Sequence, residues 1–183
     1  IVNEDMHDVV RDGKASGEVV VRAPWLTQGY LKNPEASAQL WEGGYLHTQD
    51  IASIDAKGYL QITDRIKDVI KSGGEWVSSL EIESLISQHP GVSEVAVIGI
   101  KDDKWGERPV ALVVRKLQYE VPVSEDDIRK HVLAFSETGQ ISKYAVPQIV
   151  KIVDQLDKTS VGKLNKKRLR EQFAARAQEE AAS

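Results

Sequence analysis

From Val95 to Ile100 the chain reads Val-Ala-Val-Ile-Gly-Ile without a polar residue, and a second stretch, Pro109 to Lys116, is nearly as apolar. A strand with one wet face alternates apolar and polar side chains, so a strand that is apolar at successive positions must be covered on both faces. The run is far below the roughly 20 residues that span a bilayer, and it reads as a buried strand, not a transmembrane segment. Helical patterns flank the pair. Ser78 with Glu81 fits a capping box, and Ile82, Leu85, Ile86 and His89 share a helical face that Pro90-Gly91 ends. Ser124 with Asp127 opens a second helix, whose apolar residues are Ile128, Val132, Leu133 and Phe135.

Upstream the pattern differs. Glu18 to Arg22, Tyr45 to His47 and Tyr59 to Ile62 are short strand-like segments separated by Asn33-Pro34, Gly43-Gly44 and Asp55 to Gly58. They suggest a small β-barrel or sheet, with one short helix, Pro34 to Leu40. The change falls at Asp64 to Lys67, which predicts a β-rich, barrel-like part over residues 1–64, a connection at 65–67, and a compact α+β lobe over 68–183. The fold class is therefore α+β. Within the lobe, Asp68 to Lys71 and Glu75 to Val77 flank Ser72-Gly73-Gly74, a hairpin signal because glycine reaches positive φ without steric cost. A short strand over 148–153 leads to the polar loop Asp157 to Lys163. A basic helix from Asn165 to about Arg176 then frays into an Ala/Glu tail.

With 183 residues and 41% hydrophobic side chains, the chain can build real cores. Its net charge of -4 argues against nucleic acid as a partner. The absence of cysteine excludes disulfides, thiolate metal sites and a cysteine nucleophile, and four scattered histidines suggest no metal site. The first residue is Ile1 and no signal peptide is evident, so Ile1 is expected not to be a natural start.

Three places could carry chemistry. Asp50 follows a strand and precedes a turn, where a carboxylate can accept hydrogen bonds from vicinal hydroxyls; it can equally cap the loop. Arg65 offers a planar fork of donors for phosphate or hydroxyl groups, or a surface ion pair with Asp64 or Asp68. Lys163, after Gly162, can present an ammonium to charge developing on a phosphoryl or acyl oxygen, or simply be a solvated loop lysine. Gly73 and Gly74 make a turn or let a thin ligand pass close to the backbone. Trp76 packs the hairpin or walls a ligand. The run Lys166, Lys167, Arg168 and Arg170 reads as a solvated helix face.

Taken together, these blocks resemble the acyl-CoA synthetases of the adenylate-forming (AMP-binding) superfamily, and the similarity runs from about Gly17 to Phe173. It is carried by Gly17-Glu18-Val19, Gly29-Tyr30 with Pro34-Glu35, Tyr45-Leu46-His47-Thr48-Gln49-Asp50, the block from Asp64 to Val77, and Lys158-Thr159-Ser160-Val161-Gly162-Lys163. Ser72-Gly73-Gly74-Glu75-Trp76 followed by Leu80-Glu81-Ile82-Glu83 resembles the fatty-acyl branch. The resemblance implies the C-terminal part of a fatty-acid-CoA ligase, with residues 1–64 the end of the large AMP-binding domain and 68–183 a mobile lobe. It implies a reaction in which carboxylate and ATP give acyl-adenylate and pyrophosphate, after which CoA gives acyl-CoA and AMP.

Asp50 would then hold the ribose hydroxyls with Arg65 assisting, and Lys67 would be the hinge. Lys163 would bridge carboxylate and phosphate oxygens, Gly73 and Gly74 would line the pantetheine path, and Trp76 would wall it. Fatty acid, ATP and CoA are the implied partners, magnesium is expected for the parent enzyme without a ligand in this chain, and a cytoplasmic location follows. The phosphate loop, adenine segment and acyl pocket are expected upstream of Ile1, in the N-terminal part of the same enzyme, so the chain alone should fold without catalysing. Gln49 stands where the family usually has glycine, and Asp157 where it usually has proline. Two other readings compete: a CoA- or pantetheine-binding module, and a fragment of a peptide-synthetase adenylation domain.

Overall fold

A computed structural model of the chain describes residues 1–117 and 122–182, with side chains up to Ala175 in the last helix. Two compact units result, Ile1–Lys67 and Asp68–Ser183.

In the first unit, β1 (Ser16–Val21), β2 (Leu46–Ile54) and β3 (Leu60–Arg65) form an antiparallel sheet in the order β1-β2-β3. The barrel-like end expected from the strand spacing is thus an open sheet: among the described residues β1 and β3 flank β2 without pairing with each other, and Glu18 of β1 bridges instead to Val2. Helix α1 (Pro34–Leu40) has the bounds expected: Asn33 accepts a hydrogen bond from the Ala36 N–H at 3.1 Å, and Pro34 opens the first turn. The turn from β2 to β3 is closed by Asp55, whose Oδ1 accepts the N–H groups of Lys57 and Tyr59.

In the second unit, β4 (Ile70–Ser72), β5 (Glu75–Val77), β6 (Val92–Asp102), β7 (Gly106–Arg115) and β8 (Ile149–Ile152) form one sheet. It is antiparallel except for β8, which lies parallel to β7. The expectation for the apolar strands holds in detail. Val95, Val97, Ala111 and Val113 face one core with Ile82, Leu85 and Ile86 of α2 (Ser79–Ser87) and Ile128 and Val132 of α3 (Glu125–Glu137). The alternate residues Ala96, Ile98, Val110 and Leu112 face a second core with Leu156 and with Leu169 of α4 (Lys166–Ala182).

The caps read from sequence are formed. Ser78 accepts from the Glu81 N–H, and Ser124 and Asp127 make the reciprocal capping box. Two expectations need correction. Leu133 is 42% exposed, because it lies one position past the buried stripe of Ile128 and Val132. Helix α4 continues to Ala182 instead of ending near Arg176, as its Ala, Glu and Gln residues are good helix formers. Among the described residues, no helix is long and apolar enough to cross a membrane.

The two-sided core makes a direct prediction. Ile98→Ala, at a position with no exposed surface, should cost about 2–5 kcal/mol in urea unfolding. Leu133→Ala should stay within about 0.5 kcal/mol of wild type; equal losses would show that the second core contributes little.

Candidate functional site

Asp50 lies on β2 directly opposite Arg65 on β3, and the Arg65 Nε sits 3.3 Å from Asp50 Oδ1. The two side chains are 29% and 64% exposed, so the pair adds little to stability. What it does is present a carboxylate and a guanidinium side by side at the surface, an acceptor and a set of donors for a polyhydroxyl or phosphate ligand.

A bulge puts them there. Opposite Val19, strand β2 carries extra residues: the register steps from Glu18 beside Ile51 to Val20 beside His47. Thr48 Oγ1 bridges the bulge, donating to the Val19 carbonyl at 2.7 Å and accepting the Asp50 N–H at 3.1 Å. Gln49 adopts a φ of 61°, the left-handed region where glycine is the usual residue. The backbone shape that a glycine would favour is therefore kept with a side chain in place. Its N–H is held by Glu18 Oε1 at 2.9 Å, and its carbonyl accepts from the Ile66 N–H at 2.9 Å.

Glu18 is buried, and its other oxygen meets His47 Nδ1 at 2.7 Å, while His47 Nε2 faces the Glu42 carbonyl at 3.1 Å. With an acceptor at each nitrogen, both hydrogen bonds form only on the doubly protonated ring. Burial pulls the His47 pKa down, but the Glu18 hydrogen bond, the Glu42 carbonyl and the two carboxylate charges outweigh it and raise the pKa above 6.5. This support for the bulge was not read from the sequence; a glutamate and a histidine in separate strands become neighbours only through the register.

Lys67 is exposed in the turn after β3, at the last residue of the first unit.

Gly73, Gly74 and Trp76 fall together on the β4–β5 hairpin. Gly73 and Gly74 have φ of 61° and 82°, positive at both central residues of the turn. They differ in surroundings. A Cβ at Gly73 would sit 2.6 Å from the Tyr144 ring, whereas one at Gly74 would meet nothing within 4 Å. Half-buried Trp76 pairs with Lys71, whose ammonium is 5.3 Å from the ring centroid. Tyr144 packs on Trp105 with centroids 5.5 Å apart, and the Trp105 carbonyl accepts the Gly73 N–H. Lys104, Arg108 and Lys143 stand 4.8, 5.8 and 5.2 Å from these two rings. Aromatic rings with cations over them, beside a glycine turn, offer positive charge and apolar surface to an anionic ligand. Residues 104, 105, 108, 143 and 144 escaped the sequence reading; the only local signal was a tryptophan beside a lysine in a turn.

Lys163 is exposed in a tight hairpin within the second unit. Lys158 and Leu164 form a bridge, the Thr159 N–H donates to the Lys163 carbonyl at 2.7 Å, and the Lys163 N–H donates to Thr159 Oγ1 at 3.2 Å. Lys158 is tied to Glu94 of β6 at 2.8 Å. Asp157 pairs with Arg168 Nε at 3.3 Å and accepts from Gln172, tethering the loop to α4 through side chains. The basic face expected of α4 is only partly solvated: Lys166 is buried, bonded to Glu83 at 2.8 Å and Ser79 at 2.7 Å, and Arg170 reaches Asp68 at 3.2 Å. Among the described residues, no group of three His, Cys, Asp or Glu side chains could hold a metal ion.

Residues 81–163 match the profile described as AMP-binding enzyme C-terminal domain. The long-chain-fatty-acid–CoA ligase of Thermus thermophilus is 40% identical over 174 residues, which cover 94% of this chain and 31% of that protein. The 3-methylmercaptopropionyl-CoA ligase of Ruegeria lacuscaerulensis is 38% identical, covering 94% of this chain and 30% of that one. ATP-bound MatB from Rhodopseudomonas palustris superposes with a TM-score of 0.76 at 32% identity, over 94% of this chain and 33% of its own. The chain thus spans about 30% of the length of the curated relatives it matches.

Two predictions follow from the geometry. A raised pKa means that the contribution of His47 is fully present below pH 6.5 and is lost as pH rises through the folded-state value. The stability difference between wild type and His47→Asn should therefore shrink above pH 6.5, and NMR should show the ring titrating above that value; a titration at or below it would remove the argument. At the hairpin, Gly73→Ala should destabilise more than Gly74→Ala by at least about 1 kcal/mol in urea unfolding, since both are strained but only one meets a ring.

Proposed function

We propose that this chain, whose residues 81–163 belong to the AMP-binding enzyme C-terminal domain family, is the carboxy-terminal end of an ATP-dependent fatty-acyl-CoA synthetase. The reaction has two halves. A carboxylate displaces pyrophosphate from ATP to give an acyl-adenylate, and the CoA thiol then displaces AMP to give acyl-CoA.

In the first half, Asp50 accepts hydrogen bonds from the ribose hydroxyls and Arg65 donates beside it. Lys163 neutralises negative charge shared by the acid and the phosphate oxygens, an effect often worth roughly 3–4 kcal/mol of barrier for a single well-placed donor. In the second half, the lobe turns about Lys67, and the Gly73-Gly74 turn with Trp76 lines the pantetheine arm. Trp105, Tyr144 and the three cations around them suit the phosphates and planar base of CoA. Magnesium, expected for the ATP half-reaction, takes no part in the roles given to these side chains. The working compartment is the cytoplasm, where ATP and CoA are supplied.

The observation that carries this reading is the placement of Lys163: an exposed ammonium, at the last residue of the matched segment, on a hairpin closed by two hydrogen bonds to Thr159. The fatty-acyl assignment rests on the Ser72 to Trp76 pattern and is supported by the 40% identity to a long-chain-fatty-acid–CoA ligase. The test is acid-dependent ATP–pyrophosphate exchange by the full-length protein across short, medium and long fatty acids. Exchange should appear with fatty acids, fall at least about a hundredfold in Lys163→Ala, and be absent from the present chain alone. Normal exchange by the variant would remove the role of Lys163, and no exchange with any fatty acid would remove the substrate class.

A further inference from the structure

Lys166 is an odd residue for its position. It opens α4, where the helix dipole disfavours a cation, and it is only 8% exposed. Its ammonium is enclosed by Glu83 Oε1 at 2.8 Å and Ser79 Oγ at 2.7 Å, both on α2, and the same Glu83 oxygen accepts the Val97 N–H of β6 at 2.7 Å. A buried ion pair is seldom the most stable way to fill such space, since desolvation offsets most of the attraction. What a hydrogen-bonded pair adds over an apolar filling is direction: the ammonium has one place to sit.

That place is coupled to Lys163. Only two residues separate them, and both are fixed: Leu164 bridges to Lys158, and the Asn165 N–H donates to the Asp157 carbonyl at 2.9 Å. Asn165 also caps α4 through the Arg168 N–H at 3.2 Å. One turn further on, Arg170 binds Asp68, so the same face of α4 is pinned twice. A shift or rotation of the first turn of α4 therefore moves the Lys163 hairpin with it.

We infer that Lys166, clamped by Glu83 and Ser79, is a positioning residue that sets where Lys163 projects for the adenylation half-reaction. The inference rests on the adenylation role given to Lys163 above. Replacing both charges together, Lys166→Met with Glu83→Gln, removes the Lys166–Glu83 ion pair as a whole and keeps an acceptor for the Val97 N–H. In the full-length protein, with the fatty acid that best drives wild-type exchange, kcat for pyrophosphate exchange should fall at least about tenfold with KM for ATP within about twofold. Thioester formation from the preformed acyl-adenylate and CoA should stay within about twofold of wild type, because that step does not use Lys163.

Exchange within twofold of wild type, where Lys163→Ala abolishes it, overturns the inference and leaves the reading of Lys163 intact. Equal loss in both half-reactions makes the clamp a stability element only, and also overturns it. Exchange that survives Lys163→Ala removes the reading of Lys163 and the inference together. Should the double variant not fold, Ser79→Ala, which takes one partner and leaves the ion pair, carries the same comparison with an expected drop of about threefold.

Discussion

A pair of strands apolar on both sides has to be covered twice, and most of the second unit follows from meeting that demand. The β6–β7 ladder places Val95 beside Val113 and Ala96 beside Leu112, so adjacent pairs point to opposite cores. Helices α2 and α3 close one side. The other side is closed by α4 and by the segment around Leu156, which is also the stretch that leads into the Lys163 hairpin. The loop that carries the candidate catalytic lysine is thus attached at both ends to residues that bury the sheet, a scaffold that can hold an exposed tip in place.

At the candidate sites the backbone is held in conformations that unfavoured residues would resist. Gly73 and Gly74 meet positive φ with the residue suited to it, and Gly73 must also stay bare because Tyr144 occupies the space a side chain would need. Gln49 meets the same demand with the wrong residue. Its cost, of order 1–2 kcal/mol, is offset by Glu18, which binds its N–H while taking His47 on the other oxygen. The difference from the family at this position therefore leaves the shape beside Asp50 available, maintained by hydrogen bonds in place of glycine's freedom.

Signals that act over a few residues were legible. The Pro34 to Leu40 helix, the serine caps at Ser78 and Ser124, the glycine turn and the doubly buried strands all depend on neighbours in sequence, and each formed where its residues stand. The errors came from geometry one step finer: Leu133 misses the stripe by one position, and the upstream strands stop at an open sheet. Long-range partnerships were not legible at all. Lys166 looks like its solvated neighbours Lys167 and Arg168 until Glu83 and Ser79 arrive from a helix more than eighty positions away. Trp105 and Tyr144 are likewise made neighbours by the sheet and by a turn of 3-10 helix.

A division of labour runs through both units. The groups assigned to chemistry, Asp50 with Arg65 and Lys163, are exposed or partly exposed and stabilise the fold very little. The groups that aim them, Glu18 behind Gln49 and Lys166 behind the hairpin, are buried charges whose partners leave them little freedom. An exposed side chain keeps most of its affinity for a ligand, because the weak, solvated Asp50–Arg65 pair leaves further donors and acceptors open and Lys163 stands in solvent. Its direction then has to come from the backbone beneath, and a buried, hydrogen-bonded charge gives that backbone a directional anchor.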